Sequence, residues 1–211
     1  MGRWRWAASA LALLLLLSAC SNGEQGGSGA EELALAIRTE YIAMTGCTAQ
    51  MALTADYGQR VYEYGISVSW AREGETVLTL TAPEELAGVT ARVGPGGSFL
   101  DFDGARVETG TLGSGSLTPM GAVPSLLEYA AGGFIAECAL ETMGQRETLH
   151  ITCREPEATP GTGVEAQLWF DVESHALLRG EISSDGFTVI QCTFTDFAMT
   201  LPPAQEETPA Q

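Results

Sequence analysis

The chain has 211 residues, 27 acidic side chains against ten basic ones, all arginine, and a formal charge of −17. Such a surface is repelled by nucleic acid phosphate and by anionic lipid heads, so neither is expected as a direct partner. The acids are spread along the chain instead of running together, which reads as a solvated surface, and the length suits one domain with a substantial interior.

Arg3 and Arg5 precede an uncharged apolar run over 7–17, which ends in Leu17-Ser18-Ala19-Cys20. A basic head, an apolar core of about ten residues and small residues at the cut mark a secretory signal peptide over 1–19. That core is shorter than the roughly 20 residues a membrane-spanning helix needs. The Leu-Ser-Ala-Cys ending resembles the bacterial lipobox, which implies a diacylglycerol on the thiol of Cys20 and Cys20 as the first mature residue. Two acyl chains anchor a protein stably where one does so only marginally. The chain is therefore expected on the extracytoplasmic face of a cell membrane, held by lipid. Loss of Arg3 and Arg5 leaves eight arginines against 27 acids, a charge of −19. Residues 20–30, the lipidated cysteine and a Gly/Ser-rich stretch, read as a flexible tether. A domain over 31–201 and a disordered Pro/Glu/Gln tail over 202–211 complete the division.

Within the domain, Leu33, Ile37, Tyr41 and Met44 recur at helical spacing, predicting an amphipathic helix over 31–44 that Gly46 stops. The period then changes to two. Cys47, Ala49, Met51, Leu53 and Ala55 alternate with polar residues, and after a turn at Gly58 so do Tyr62, Tyr64, Ile66, Val68 and Trp70. Alternation of this length, rich in aromatic and β-branched residues, predicts strands with one buried face. Further strands are expected over 75–81, 89–93, 99–102 and 106–109, with a hairpin signal at Asp103-Gly104. A Gly/Ser-rich loop over 110–118 and a helical segment over 119–131 interrupt the pattern. Strands resume over 134–141, 147–153, 166–172, 176–183 and 187–199. Most connections are too short for parallel crossovers, so the sheet should be antiparallel. About eleven strands with only two helices to cover them predict a mainly β (α+β) fold, a bent open sheet wrapped around its helices.

This order, following a lipobox, resembles the LolA/LolB family of lipoprotein carriers. The resemblance implies an open antiparallel half-barrel with an N-terminal amphipathic helix and a short helical lid over an apolar concavity. The stretches 55–64 (Ala-Asp-Tyr-Gly-Gln-Arg-Val-Tyr-Glu-Tyr) and 117–124 (Leu-Thr-Pro-Met-Gly-Ala-Val-Pro) are also similar to LolA-like lipoproteins of spore-forming Gram-positive bacteria. One branch of these is a germination lipoprotein that binds and activates a cortex-processing amidase. A lipid or lipidated protein, or a cell-envelope enzyme, are the partners the resemblance implies. A chain that is itself anchored cannot shuttle across a periplasm.

The candidate ligand-binding face comprises Tyr62, Tyr64, Ile66, Val68 and Trp70, with Leu78, Leu80, Phe134, Leu140, Leu168 and Phe170 on neighbouring strands. Helices that fill the concavity would make this face plain core; helices that sit loosely would leave a cavity for an apolar ligand. Besides Cys20, four cysteines in an exported chain permit two disulfides, or else act as buried apolar thiols. A four-residue turn near 144–147 would set Cys138 opposite Cys153 and leave Cys47 for Cys192. Catalysis is poorly supported. His150 and His175 read as surface residues, and His150 and Cys153 fall on opposite strand faces, so they make no metal pair. Asp101 and Asp103 are explained by hairpin chemistry, and no motif for a cofactor or phosphate is present.

Overall fold

The computed structural model describes residues 25–109 and 117–202; the leader, Cys20, the first part of the tether, residues 110–116 and the tail from 203 lie outside the described residues. Helix α1 (Gln25–Ala43) starts inside the stretch expected as tether. Its buried stripe is Ala30, Ala34, Ile37, Tyr41 and Met44. The small Ala30 and Ala34 are buried, with Leu33 half-buried against the same core, which lets the helix lie close to the sheet. Gly46 does not end the helix but opens the first strand.

Eleven strands follow: β1 (Gly46–Asp56), β2 (Val61–Ala71), β3 (Thr76–Ala82), β4 (Thr90–Gly94), β5 (Gly97–Phe102), β6 (Ala105–Glu108), β7 (Ile135–Met143), β8 (Arg146–Cys153), β9 (Val164–Asp171), β10 (Leu177–Ser184) and β11 (Phe187–Thr200). Helix α2 (Ala122–Gly132) stands between β6 and β7. All strands join one open sheet in the order β6-β5-β4-β3-β2-β1-β11-β10-β9-β8-β7. Every pairing is antiparallel. The expected open half-barrel is borne out. No helix among the described residues is long and apolar enough to cross a membrane.

The topology decides where the helices go. β1 and β11, first and last in sequence, pair at the middle of the sheet, while the consecutive β6 and β7 lie at its two edges. The link between them must cross the inner face, and it carries α2 with it. Both helices pack mainly against β7 to β10. Leu126 of α2, fully buried, seats on Gly180 of β10, where a Cβ would come within 2.6 Å of the Leu126 side chain. Arg38 of α1 donates to the carbonyl of Gly133, tying α1 to the end of α2.

The expected disulfides do not form: Cys47, Cys138, Cys153 and Cys192 are free thiols. Cys47 stands opposite Met199 and Cys192 opposite Leu53, six positions apart along β1. At about 3.3 Å per residue that is roughly 20 Å, whereas a disulfide needs Cα atoms within about 7 Å. Gly144 takes φ 66° and closes β7 to β8 with a two-residue turn, so Cys138 meets Ile151 while Cys153 meets Ile135. Burial pushes the Cys47 thiol up to about 12, the Cys153 thiol up to about 11, and that of Cys192 upward as well. Thiolate is the form that alkylates. In native protein at neutral pH, iodoacetamide is therefore expected to modify the half-buried Cys138 first, and the other three only on unfolding, as read by peptide mass spectrometry. A mass deficit of two hydrogens in unreduced protein would contradict this register.

Candidate ligand-binding site

Strands β2 to β5 form the half of the sheet that the helices leave open. A rung of side chains crosses it from Val68 to Leu78, Ala91 and Leu100. Val68, Leu78 and Ala91 are buried, yet at Ala91 the rung shrinks to a methyl group. Above it lies a hollow of about 340 Å³. Tyr64, Ile66, Leu78, Leu80, Ala91 and Leu100 form its floor; Leu86 and Val89 close one side; Thr118, Pro119 and Met120 lie across it. The hydroxyls of Tyr64 and Thr118 are the only polar side-chain groups in this lining, and no charge faces it. A volume of this size with an apolar lining suits a small apolar ligand.

The mouth is aromatic. Tyr62 stacks on Tyr64 with ring centroids 6.4 Å apart, and Tyr57 meets Tyr62 edge-on at 6.1 Å. The Tyr57 hydroxyl donates to the carbonyl of Leu117 at 3.0 Å, joining the β1–β2 turn to the segment across the hollow. Burial, then the neighbouring phenols of Tyr64 and Tyr62, raise the pKa of Tyr57.

The expected ligand face divides into four groups. Tyr64, Ile66, Leu78 and Leu80 line the hollow, and Tyr62, 38% exposed, stands at its mouth. Leu168 and Phe170 are core: both are at most 1% exposed, and Phe170 meets Tyr41 of α1 edge-on at 5.2 Å. Val68 is buried core between two hollows, and Trp70 lines the other one. Phe134 and Leu140 lie outside the site. They are 52% and 47% exposed, Phe134 just before the β7 bulge and Leu140 on the edge strand itself. None of Phe134, Leu140, Leu168 and Phe170 lines the hollow. Ala91, Leu100, Leu86, Val89, Pro119 and Met120 were not among the expected residues. For Ala91 and Leu100 the alternation of β4 and β5 carried a usable signal; for Met120 and Pro119 none existed in the local pattern.

The other face of the sheet is charged. Asp101 accepts from Arg92 at 3.0 Å and from Arg106 at 2.7 Å, and Arg92 also reaches Glu75 at 3.1 Å. The hydrogen bond from Arg106 is the main cause that lowers the Asp101 pKa. Asp103 takes φ 48° in the β5–β6 turn, as hairpin chemistry requires. His150 stacks on Trp169 at 4.2 Å, its Nδ1 is 2.9 Å from Glu141 and its Nε2 3.1 Å from Gln167. His175, at φ 57°, holds Nδ1 2.9 Å from Glu40. Among the described residues no group of three or more His, Cys, Asp and Glu is placed to hold a metal ion. A larger groove of about 790 Å³ runs along the β7 edge, but Glu31, Glu137, Glu141 and His150 face it, so it is a poor place for an apolar ligand.

No family model matches the chain, and no curated protein matches it. Among solved structures it is similar to an uncharacterized conserved protein from Thermus thermophilus (10% identity, 82% of this chain and 89% of that one, TM-score 0.48). It is similar also to LprF from Mycobacterium bovis (12%, 84% and 97%, 0.46) and to a LolA superfamily protein from Nitrosomonas europaea (10%, 82% and 94%, 0.44).

Proposed function

We propose that this chain is a lipid-anchored extracytoplasmic lipoprotein, without catalytic activity, that binds one apolar chain of a lipid or lipidated molecule in the hollow over β2 to β5. The uncharged lining around Ala91 carries the reading. Each methylene transferred there from water contributes about 0.8 kcal/mol. The lipobox ending at Cys20 supports the location. Protein purified from native membranes and extracted with organic solvent tests both parts in one set of mass spectra. The N-terminal peptide is expected to start at a diacylglyceryl Cys20, and the extract to hold a stoichiometric single class of acyl-bearing molecule. An empty extract, together with no binding of a dansylated undecanoate probe, would contradict the ligand; an unmodified leader would contradict the anchor.

A second reading rests on the edges. β6 and β7 end the sheet, each with one side unpaired among the described residues, and such edges accept partner strands. A cell-envelope enzyme that co-purifies with the anchored protein while the extract stays empty would favour it.

A further inference from the structure

At the other end of β2, between that strand and the two helices, lies a separate hollow of about 340 Å³. Met44, Trp70, Leu127 and Ala131 give it an apolar wall, and two opposite charges, Arg72 and Glu128, face it. Arg72 donates from Nε to the Met44 carbonyl at 2.8 Å and from Nη2 to the Tyr41 carbonyl at 2.9 Å. These bonds satisfy carbonyls at the end of α1, which otherwise lack partners. The guanidinium also lies 5.7 Å from the centre of the Trp70 ring. Two carbonyls and one aromatic ring thus fix its plane, while Nη1 has no partner among the described residues. Glu128, exposed on α2, has no hydrogen bond or ion pair among the described residues either, and it does not bridge to Arg72. Two uncompensated charges of opposite sign therefore border one apolar wall.

We infer that this hollow is a binding site for a small zwitterion that carries an apolar group. The anionic end meets Nη1 of Arg72, the cationic end meets Glu128, and the apolar group lies on Trp70 and Leu127. A guanidinium already held in place loses little freedom when it takes a carboxylate or phosphate, which favours binding. The volume lies within the range of small-molecule sites. This site is distinct from the apolar hollow: Ile66 and Trp70 are four positions apart, about 13 Å, with buried Val68 between them. A free amino acid with an apolar side chain and a zwitterionic lipid head group share this chemistry.

Calorimetric titration of the mature protein with L-phenylalanine, and separately with dodecylphosphocholine below its micelle concentration, tests the site and separates the two sources. At least one of them is expected to bind saturably at one per chain. Glu128→Gln should weaken that binding about two- to fivefold, and Arg72→Lys, which keeps the charge but loses the fork, should also weaken it. Glu128→Gln should leave binding of the dansylated undecanoate probe unchanged, which keeps this site separable from the apolar one. Binding of phenylalanine alone assigns an amino acid or peptide terminus, and binding of the detergent alone assigns a lipid head group. No saturable heat with either, or binding that Glu128→Gln leaves unchanged, overturns the inference.

Discussion

Phe170→Ala should lower the unfolding free energy by about 3–5 kcal/mol, the usual cost of emptying a large aromatic site, while leaving affinity for an apolar probe within about twofold. Phe170 is 1% exposed, sits on β9 between β8 and β10, and packs edge-on against Tyr41 of α1. Its removal takes away both buried area and the ring contact that seats the helix. Urea unfolding followed by circular dichroism measures the loss. An unchanged midpoint with lost probe binding would instead place Phe170 in the ligand site and refute the division of the sheet into a filled and an open half.

Ala91→Trp should have the opposite signature. The indole would occupy the hollow over the rung from Leu78 to Leu100, where the only side chain at that point is a methyl group. Displacing even four methylenes of a bound chain, at about 0.8 kcal/mol each, weakens binding about two-hundredfold. Titration with the dansylated undecanoate probe reads the change directly. Since the space already exists, the folded state should survive the substitution, and the urea midpoint of Ala91→Trp should lie far above that of Phe170→Ala. Binding that withstands the tryptophan would move the ligand out of this hollow.

Much of the fold was legible because the strand pattern is strong. The alternation of Tyr62, Tyr64, Ile66, Val68 and Trp70 identifies β2 and its inner face, and Gly58, Gly144 and Asp185-Gly186 stand at the turns where strands reverse. The division of that inner face into core and cavity was not legible. Tyr64 and Phe170 sit on strands of the same pattern and point to the same side; what separates them is the route of the chain from β6 to β7. That route follows from β1 pairing with β11 at the middle of the sheet, a contact between the two ends of the chain that no local window contains. The cysteines show the same dependence at smaller scale. A two-residue turn in place of four at Gly144 moves Cys138 from Cys153 to Ile151. Parity survives such a shift and pairing does not. The start of α1 is not legible in the sequence because alanines carry little hydrophobic signal, although Ala30 and Ala34 are among its most buried residues.

The position of a bound chain within the sheet tests the account most directly. Methyl-labelled protein titrated with a nitroxide-labelled stearate should lose the methyl signals of Ile66, Leu80, Leu100 and Met120 through paramagnetic broadening, while those of Leu126, Leu149 and Leu168 stay sharp. Broadening centred on Leu149 and Leu168, or none at any methyl at saturating stearate, would contradict an apolar site over β2 to β5.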